Sequence, residues 1–158
     1  MHEYVISQSQ EVAGPIDAVF GFFADAGNLD ELTPRWLRFE VVTPRPIELK
    51  PGALIEYRLR WHGLPIVWLT RIEEWSPPHR FVDTQIRGPY TKWHHTHEFE
   101  AVSGGTRMRD VVRYALPLGP IGRIAHAIAV RRDVARIFDY RRCRISERFG
   151  DLNRDGEK

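Results

Sequence analysis

The sequence predicts an α+β fold: six or seven antiparallel strands in a curved sheet that grips a long C-terminal helix, with one or two short helices after the first strand. Three observations carry this. Six short β-type runs follow one another between Phe39 and Leu116, separated by clusters of Pro, Gly and Ser turn formers. From Ile121 to Phe149 no Pro and only one Gly, Gly122, interrupts apolar residues at helical spacing. One strand, Lys92–Val102, carries His95 and His97 beside Trp93 and Phe99, so imidazoles share an otherwise aromatic face.

The elements follow in order. Tyr4 to Val12 alternates as a strand does. Gly14 and Pro15 then open a helix, with Pro15 in the first turn, where its missing N–H costs nothing. Val19, Phe20, Phe22 and Phe23 give that helix a bulky apolar side, Gly27 and Asn28 end it, and Leu29 to Leu32 offers one more short turn. The strands expected next are Phe39–Thr43, Leu54–Trp61, Ile66–Trp75, Arg80–Ile86, Lys92–Val102 and Thr106–Leu116. A sheet with one apolar face needs a cover, and the Ile121–Phe149 helix supplies it. Ile121, Ile124, Ile128, Val134, Ile137, Phe138, Ile145 and Phe149 form its apolar positions. Residues 1–150 are expected to form one domain and 151–158 a polar, frayed tail.

Hairpin geometry tests which strand face is inner, because paired residue numbers in a hairpin share a constant sum. A turn at Arg87–Thr91 sets Gln85 opposite Trp93, Asp83 opposite His95 and Phe81 opposite His97. A tip at Gly104 and Gly105 sets Phe99 opposite Asp110, His97 opposite Val112 and His95 opposite Tyr114. A slip of two residues would set His97 opposite Asp110 with the same faces inward. A four-residue turn at His62–Pro65 sets Leu59 opposite Trp68 and Tyr57 opposite Thr70. The expected cavity wall includes Tyr57, Trp61, Trp68, Gln85, Trp93, His95, His97, Phe99, Asp110 and Tyr114, with Asp83 among them. A mostly aromatic wall with a few convergent polar groups suits a small-molecule pocket.

Three segments carry a family resemblance: Ala13–Phe23 with Leu32–Pro34, Phe81–Gln85 with Trp93–His97, and Gly104–Thr106 with Asp110–Pro117. Over roughly residues 3–149 the chain resembles the START-like or SRPBCC superfamily of Bet v 1-like helix-grip proteins. It looks closest to small bacterial ligand-binding or polyketide cyclase/dehydrase-like members. The resemblance implies a helix-grip fold, an internal ligand cavity and no cofactor. Similar domains also occur fused to NAD-dependent epimerase-like domains. Relatives include carriers, receptors and cyclases, so the fold leaves activity open.

Three uses of the cavity follow. The leading one is binding of an apolar or amphipathic small molecule of lipid-, polyketide- or aromatic-like character. Trp61, Trp68, Trp93 and Phe99 would bury it, while His95, His97, Gln85 and Tyr114 orient a polar end and Asp83 and Asp110 support them. The second is cyclase or dehydratase chemistry with His95 as proton carrier and Asp83 as its partner. The third is an accessory, partner-binding role. Two histidines and a carboxylate could also meet at a metal, but the resemblance does not imply one and no metal is expected. Against all these stands a structural role, since buried Asp–His pairs satisfy one another and pin register.

Bulk properties narrow the classes. A formal charge of +2 on 158 residues gives no polyelectrolyte signal for nucleic acid, and the aromatic residues point inward rather than interleaving with arginines. The single cysteine, Cys143, excludes an internal disulfide and suits a cytoplasmic location. The N-terminus lacks a signal-peptide pattern, and no run approaches the ~20 apolar residues that span a bilayer. Arg123, Arg131, Arg132, Arg136, Arg141, Arg142, Arg144 and Arg148 crowd the last helix. They are read as a solvated outer face; membrane-surface contact is not favoured.

Overall fold

The computed structural model describes residues 1–152. Seven strands form one antiparallel sheet: β1 (Glu3–Val12), β2 (Glu40–Val41), β3 (Leu54–Trp61), β4 (Leu64–Ser76), β5 (Arg80–Arg87), β6 (Lys92–Val102) and β7 (Gly105–Ala115). Their order across the sheet is β1-β7-β6-β5-β4-β3-β2. The helix α1 (Ile16–Phe23) and two short 3₁₀ turns (Ala26–Leu29 and Arg35–Leu37) fill the long connection between β1 and β2. The first of these turns lies earlier than the one expected at Leu29–Leu32. The C-terminal helix begins as α2 (Gly119–Ala125), passes through one π-type turn (His126–Val130) and continues as α3 (Arg131–Phe149). Among the described residues no helix is long and apolar enough to cross a membrane.

The expected faces hold while two registers move. His62 and Gly63 alone turn between β3 and β4, both at positive φ (48° and 82°), the pairing of conformations that matches strand twist in a two-residue hairpin. Leu59 therefore faces Ile66 and Tyr57 faces Trp68, two residues from the expected pairing. At the β6–β7 tip, Val102 pairs with Gly105, so His97 faces Asp110 and His95 faces Val112. Both slips are even-numbered, which leaves every side chain on its predicted face. On β5–β6 the expected pairs Asp83–His95 and Phe81–His97 are observed.

Three packed clusters hold the elements. Val19, Phe20, Phe22 and Phe23 of α1 meet Phe81, Phe99, Met108 and Ile145 under the closed end of the sheet. Val112 and Tyr114 of β7 meet Val130, Val134 and Phe138 of the C-terminal helix. Ile55, Tyr57 and Ile72 meet the 26–49 connection. The helix thus packs against the β1–β7–β6 side, and space remains beneath it over β3, β4 and β5. Tyr114 also ties helix to sheet: its hydroxyl lies 2.8 Å from His126 Nε2, and Tyr4 stacks on that imidazole with centroids 3.5 Å apart.

The C-terminal helix corrects the sequence reading in its first half. Val130, Val134, Phe138, Arg141 and Ile145 form the buried stripe, whereas Ile121, Ile124 and Ile128, expected in the core, are exposed. Ile128 lies six residues before Val134, off the three- and four-residue steps of the buried stripe, so the three isoleucines fall on the other side of the helix. The polar tail expected at 151–158 falls outside the described residues beyond 152. Asp151 itself bridges to Val12 and accepts a hydrogen bond from Ser146 Oγ at 2.6 Å.

Candidate functional site

Beneath the C-terminal helix lies a cavity of about 410 Å³. Its floor is the concave face of β3–β6, its roof is Val134, Ile137, Phe138 and Arg141, and the 26–49 connection supplies Leu29, Leu32, Leu37 and Phe39. Alternation alone places the floor: inward residues recur every second position along each strand.

Of the candidate residues, Tyr57, Trp61, Trp68, Trp93, His95, His97 and Asp83 line this cavity. Gln85, Phe99, Asp110 and Tyr114 do not, although all were expected in its wall. The Gln85 amide instead clamps the β5–β6 turn, donating to the Tyr90 carbonyl at 2.7 Å and accepting from the Tyr90 N–H. A side chain on Gly88 would meet Gln85 Oε1 at 2.4 Å, so this clamp requires glycine there. Phe99 is walled off by the α1 phenylalanines, and Tyr114 is occupied with His126. Asp110 sits behind the histidines.

The polar end of the cavity is a network of five groups. His97 Nε2 hydrogen-bonds Asp83 Oδ2 at 2.7 Å, and His95 Nε2 hydrogen-bonds Asp110 Oδ1 at 3.0 Å. Register opposes Asp83 to His95, yet the expected Asp83–His95 bond does not form: Nδ1 stands 3.9 Å from Oδ2. The rings of His95 and His97 lie tilted by 32° with centroids 3.7 Å apart, and each hydrogen-bonds a different carboxylate. His97 Nδ1 comes within 3.1 Å of Asp110 Oδ1 but out of line for a hydrogen bond. Arg141 Nε lies 3.6 Å from Asp110 Oδ2, and its guanidinium lies over the Phe23 ring.

These contacts set the charge states. Burial raises both carboxyls, but for Asp83 the His97 hydrogen bond and neighbouring positive charges outweigh it and hold the group below its usual range. For Asp110 the Arg141 charge and the two imidazoles overcome burial and hold it well below. Burial, then the His97 charge, push His95 down to about 4, so it is neutral near pH 7. A neutral imidazole facing an ionised carboxylate carries its proton on Nε2, which leaves Nδ1 an acceptor. For His97 burial is outweighed by Asp110 and Asp83, and its basicity is raised. Burial, then the Asp83 charge, push the Tyr57 phenol up, so it stays a neutral donor.

Asp83, His95 and His97 each offer a donor atom, all within 4.8 Å of one another. Two of the three donors already serve mutual hydrogen bonds, and Arg141 places a fixed positive charge beside them. The fixed guanidinium charge makes the set a poor fit for a divalent cation.

Sequence reasoning missed two residues here. Arg141, counted with the outer arginines, and Asp133 both line the cavity from α3. The signal existed for Arg141: it falls at i+7 from Val134 and i+3 from Phe138, on the buried stripe. Asp133 accepts from Trp61 Nε1 at 2.8 Å and pairs with His62 Nε2 at 2.6 Å, pinning the β3–β4 hairpin to the helix. Trp61→Phe is expected to cost about 2 kcal/mol, the worth of a hydrogen bond to a charged acceptor, read as a lower urea midpoint. An unchanged midpoint would show that the hairpin is held by packing alone.

A family model described as polyketide cyclase / dehydrase and lipid transport matches residues 4–142. No curated protein sequence matches significantly. Solved structures resemble the fold throughout. Protein CV1439 from Chromobacterium violaceum superposes with a TM-score of 0.72 at 15% identity, covering 92% of this chain and 96% of that one. Ara h 8.0201 gives 0.60 at 17% identity, covering 92% and 99%. TTHA0849 from Thermus thermophilus gives 0.61 at 19% identity, covering 92% and 99%. At such identities the likeness concerns the fold.

Proposed function

The chain belongs to the polyketide cyclase / dehydrase and lipid transport family, and from that premise we propose that it binds an apolar or amphipathic small molecule beneath the C-terminal helix. One observation carries the reading: a cavity of about 410 Å³ whose wall is mostly aromatic and aliphatic, with charged groups at the Asp83–His95–His97–Arg141 end and at Asp133. Such a wall makes burial of an aromatic or acyl body favourable, at roughly 25 cal/mol per Å² of apolar surface. The neutral His95 and the Tyr57 hydroxyl meet the ligand's polar end. The cavity volume lies within the ordinary range for small-molecule sites.

Native mass spectrometry of gently purified protein, followed by organic extraction, tests this. A discrete added mass that releases an organic molecule is the expected result. Trp61, Trp68 and Trp93 line the cavity, so a saturating ligand should also change tryptophan emission. A bare 18.4 kDa species that takes up no apolar fluorescent probe would sink the reading.

A second reading rests on the imidazoles. His95, oriented by Asp110 with Nδ1 turned to its acceptor state, would act as a weak base toward an acidic enolisable proton and return it, as a cyclase or dehydratase requires. The partner carboxylate is then Asp110, with Asp83 serving His97. His95→Gln separates the readings. A carrier should lose less than about tenfold in affinity, whereas acid–base turnover should fall by roughly 10²–10⁴. An accessory role predicts instead capture of a constant protein partner with the cavity blocked.

A further inference from the structure

We propose that the outward face of the C-terminal helix around Ile121–Arg132, beside the cavity mouth, docks on the surface of an anionic lipid bilayer. The first observation is apolar. Leu118, Ile121, Ile124 and Ile128 are 72%, 66%, 60% and 74% exposed. A soluble surface scatters such side chains singly. Here Ile121, Ile124 and Ile128 recur at steps of three and four, which keeps them on one side of the helix. They stand outward because the buried positions of this segment are Gly122, His126 and Val130, at steps of four that the isoleucines do not share.

The second observation is charge. Between Gly119 and Phe138 the chain carries Arg123, Arg131, Arg132 and Arg136 and one acid, Asp133. All four arginines are exposed, whereas Asp133 is buried against Trp61 and His62. The exposed charge of this segment is therefore wholly positive, and Arg131 and Arg132 follow Ile128 by three and four residues on its own side. Nucleic acid would answer the arginines but not the isoleucines. A second copy would set like charge against like. An anionic bilayer answers both, taking the aliphatic side chains at the acyl boundary and the guanidiniums at the headgroups.

The third observation is position. Leu118 and Ile121 line the cavity as well as the surface. Leu116, Pro117 and Leu118 line both the cavity and an outer groove of about 400 Å³ shared with His2 and Arg123. Leu118 is held in the left-handed region (φ 68°) with its side chain outward, and Gly119 follows at φ 48°. That conformation disfavours leucine, so an apolar group is presented to solvent at a backbone cost. A single turn thus separates the cavity from the docking face.

The test is flotation of the full chain with phosphatidylcholine vesicles, with and without phosphatidylserine. Binding is expected only with phosphatidylserine and should weaken as salt rises. Ile124→Ser with Ile128→Ser should lower binding by on the order of tenfold or more, since both side chains lie in solvent and their loss leaves the core intact. Arg131→Gln with Arg132→Gln should lower it by about fivefold per arginine. Circular dichroism and thermal melts confirm that the variants fold. No binding by the parent chain, or equal binding by the variants, overturns the proposal. So does light scattering that shows a dimer dissolved by the serine variant while vesicles go unbound. Titration with anilinonaphthalene sulfonate without vesicles reads the cavity separately. Uptake of that probe by a variant that no longer floats isolates the surface, and flotation of a chain that takes no probe would retire the cavity reading alone.

Discussion

Asp110→Ala should destabilise the fold by about 3–5 kcal/mol, the usual result of leaving a buried charge without its partner. Arg141 is the charge concerned. It is buried beneath Phe23, and two of its guanidinium nitrogens, Nε and Nη2, are enclosed without a hydrogen bond. Asp110, 3.6 Å away, is the nearest compensating anion, and it also accepts from His95. Removing it strands the guanidinium and frees one imidazole together. The comparison that isolates the cause is Asp110→Leu with Arg141→Met. Replacing both partners by apolar groups should recover much of the loss, because neither charge then needs solvating. Urea denaturation reads both. A single variant within about 1 kcal/mol of the parent protein would mean that water, rather than Asp110, solvates Arg141.

Acid should weaken the fold through His95 before it reaches the carboxylates. The His95 imidazole is pushed down to about 4, from 6.5 in the unfolded chain. Between these values the unfolded state binds a proton that the folded state refuses, so stability falls as pH drops from 6.5 toward 4. The full shift corresponds to on the order of 3 kcal/mol. Asp83 and Asp110 have depressed folded values, so their stabilisation is complete above the unfolded carboxylate range and is lost only at lower pH. His97 has the opposite sign. Its folded value is raised, so its contribution is full below 6.5 and is lost as pH climbs through the folded value. Stability should therefore peak near the unfolded histidine value and decline on both sides. His95→Gln should flatten the acid limb between pH 6.5 and 4, and His97→Gln the alkaline limb. An acid limb unchanged by His95→Gln would place the titrating group elsewhere.

Much of the site was legible before the fold was known, and the misses have definite causes. Alternation puts Trp93, His95 and His97 on one face whatever the register, and both register slips were even-numbered. Hydrogen bonding within that face was not legible. His95 and Asp83 oppose each other on the ladder, yet the side chains cross, His97 bonding Asp83 and His95 bonding Asp110. Gln85, Phe99 and Tyr114 lie on the inner face but not at the cavity, because the turn clamp, the α1 phenylalanines and His126 each claim one of them. The outward isoleucines were legible but missed: Ile128 stands six residues before Val134, a step that breaks the helical spacing of the buried stripe.

The sequence alone determined the alternating faces, the order of elements and the chemical character of the concave wall, because these depend on local periodicity and turn chemistry. Only the tertiary structure decided where the helix rests on the sheet. That choice opens the cavity over β3–β6, buries Arg141 with Asp110, and leaves Ile121, Ile124 and Ile128 in solvent. The reason is that a helix has one buried stripe but several phases in which to present it, and packing against β7 selects one.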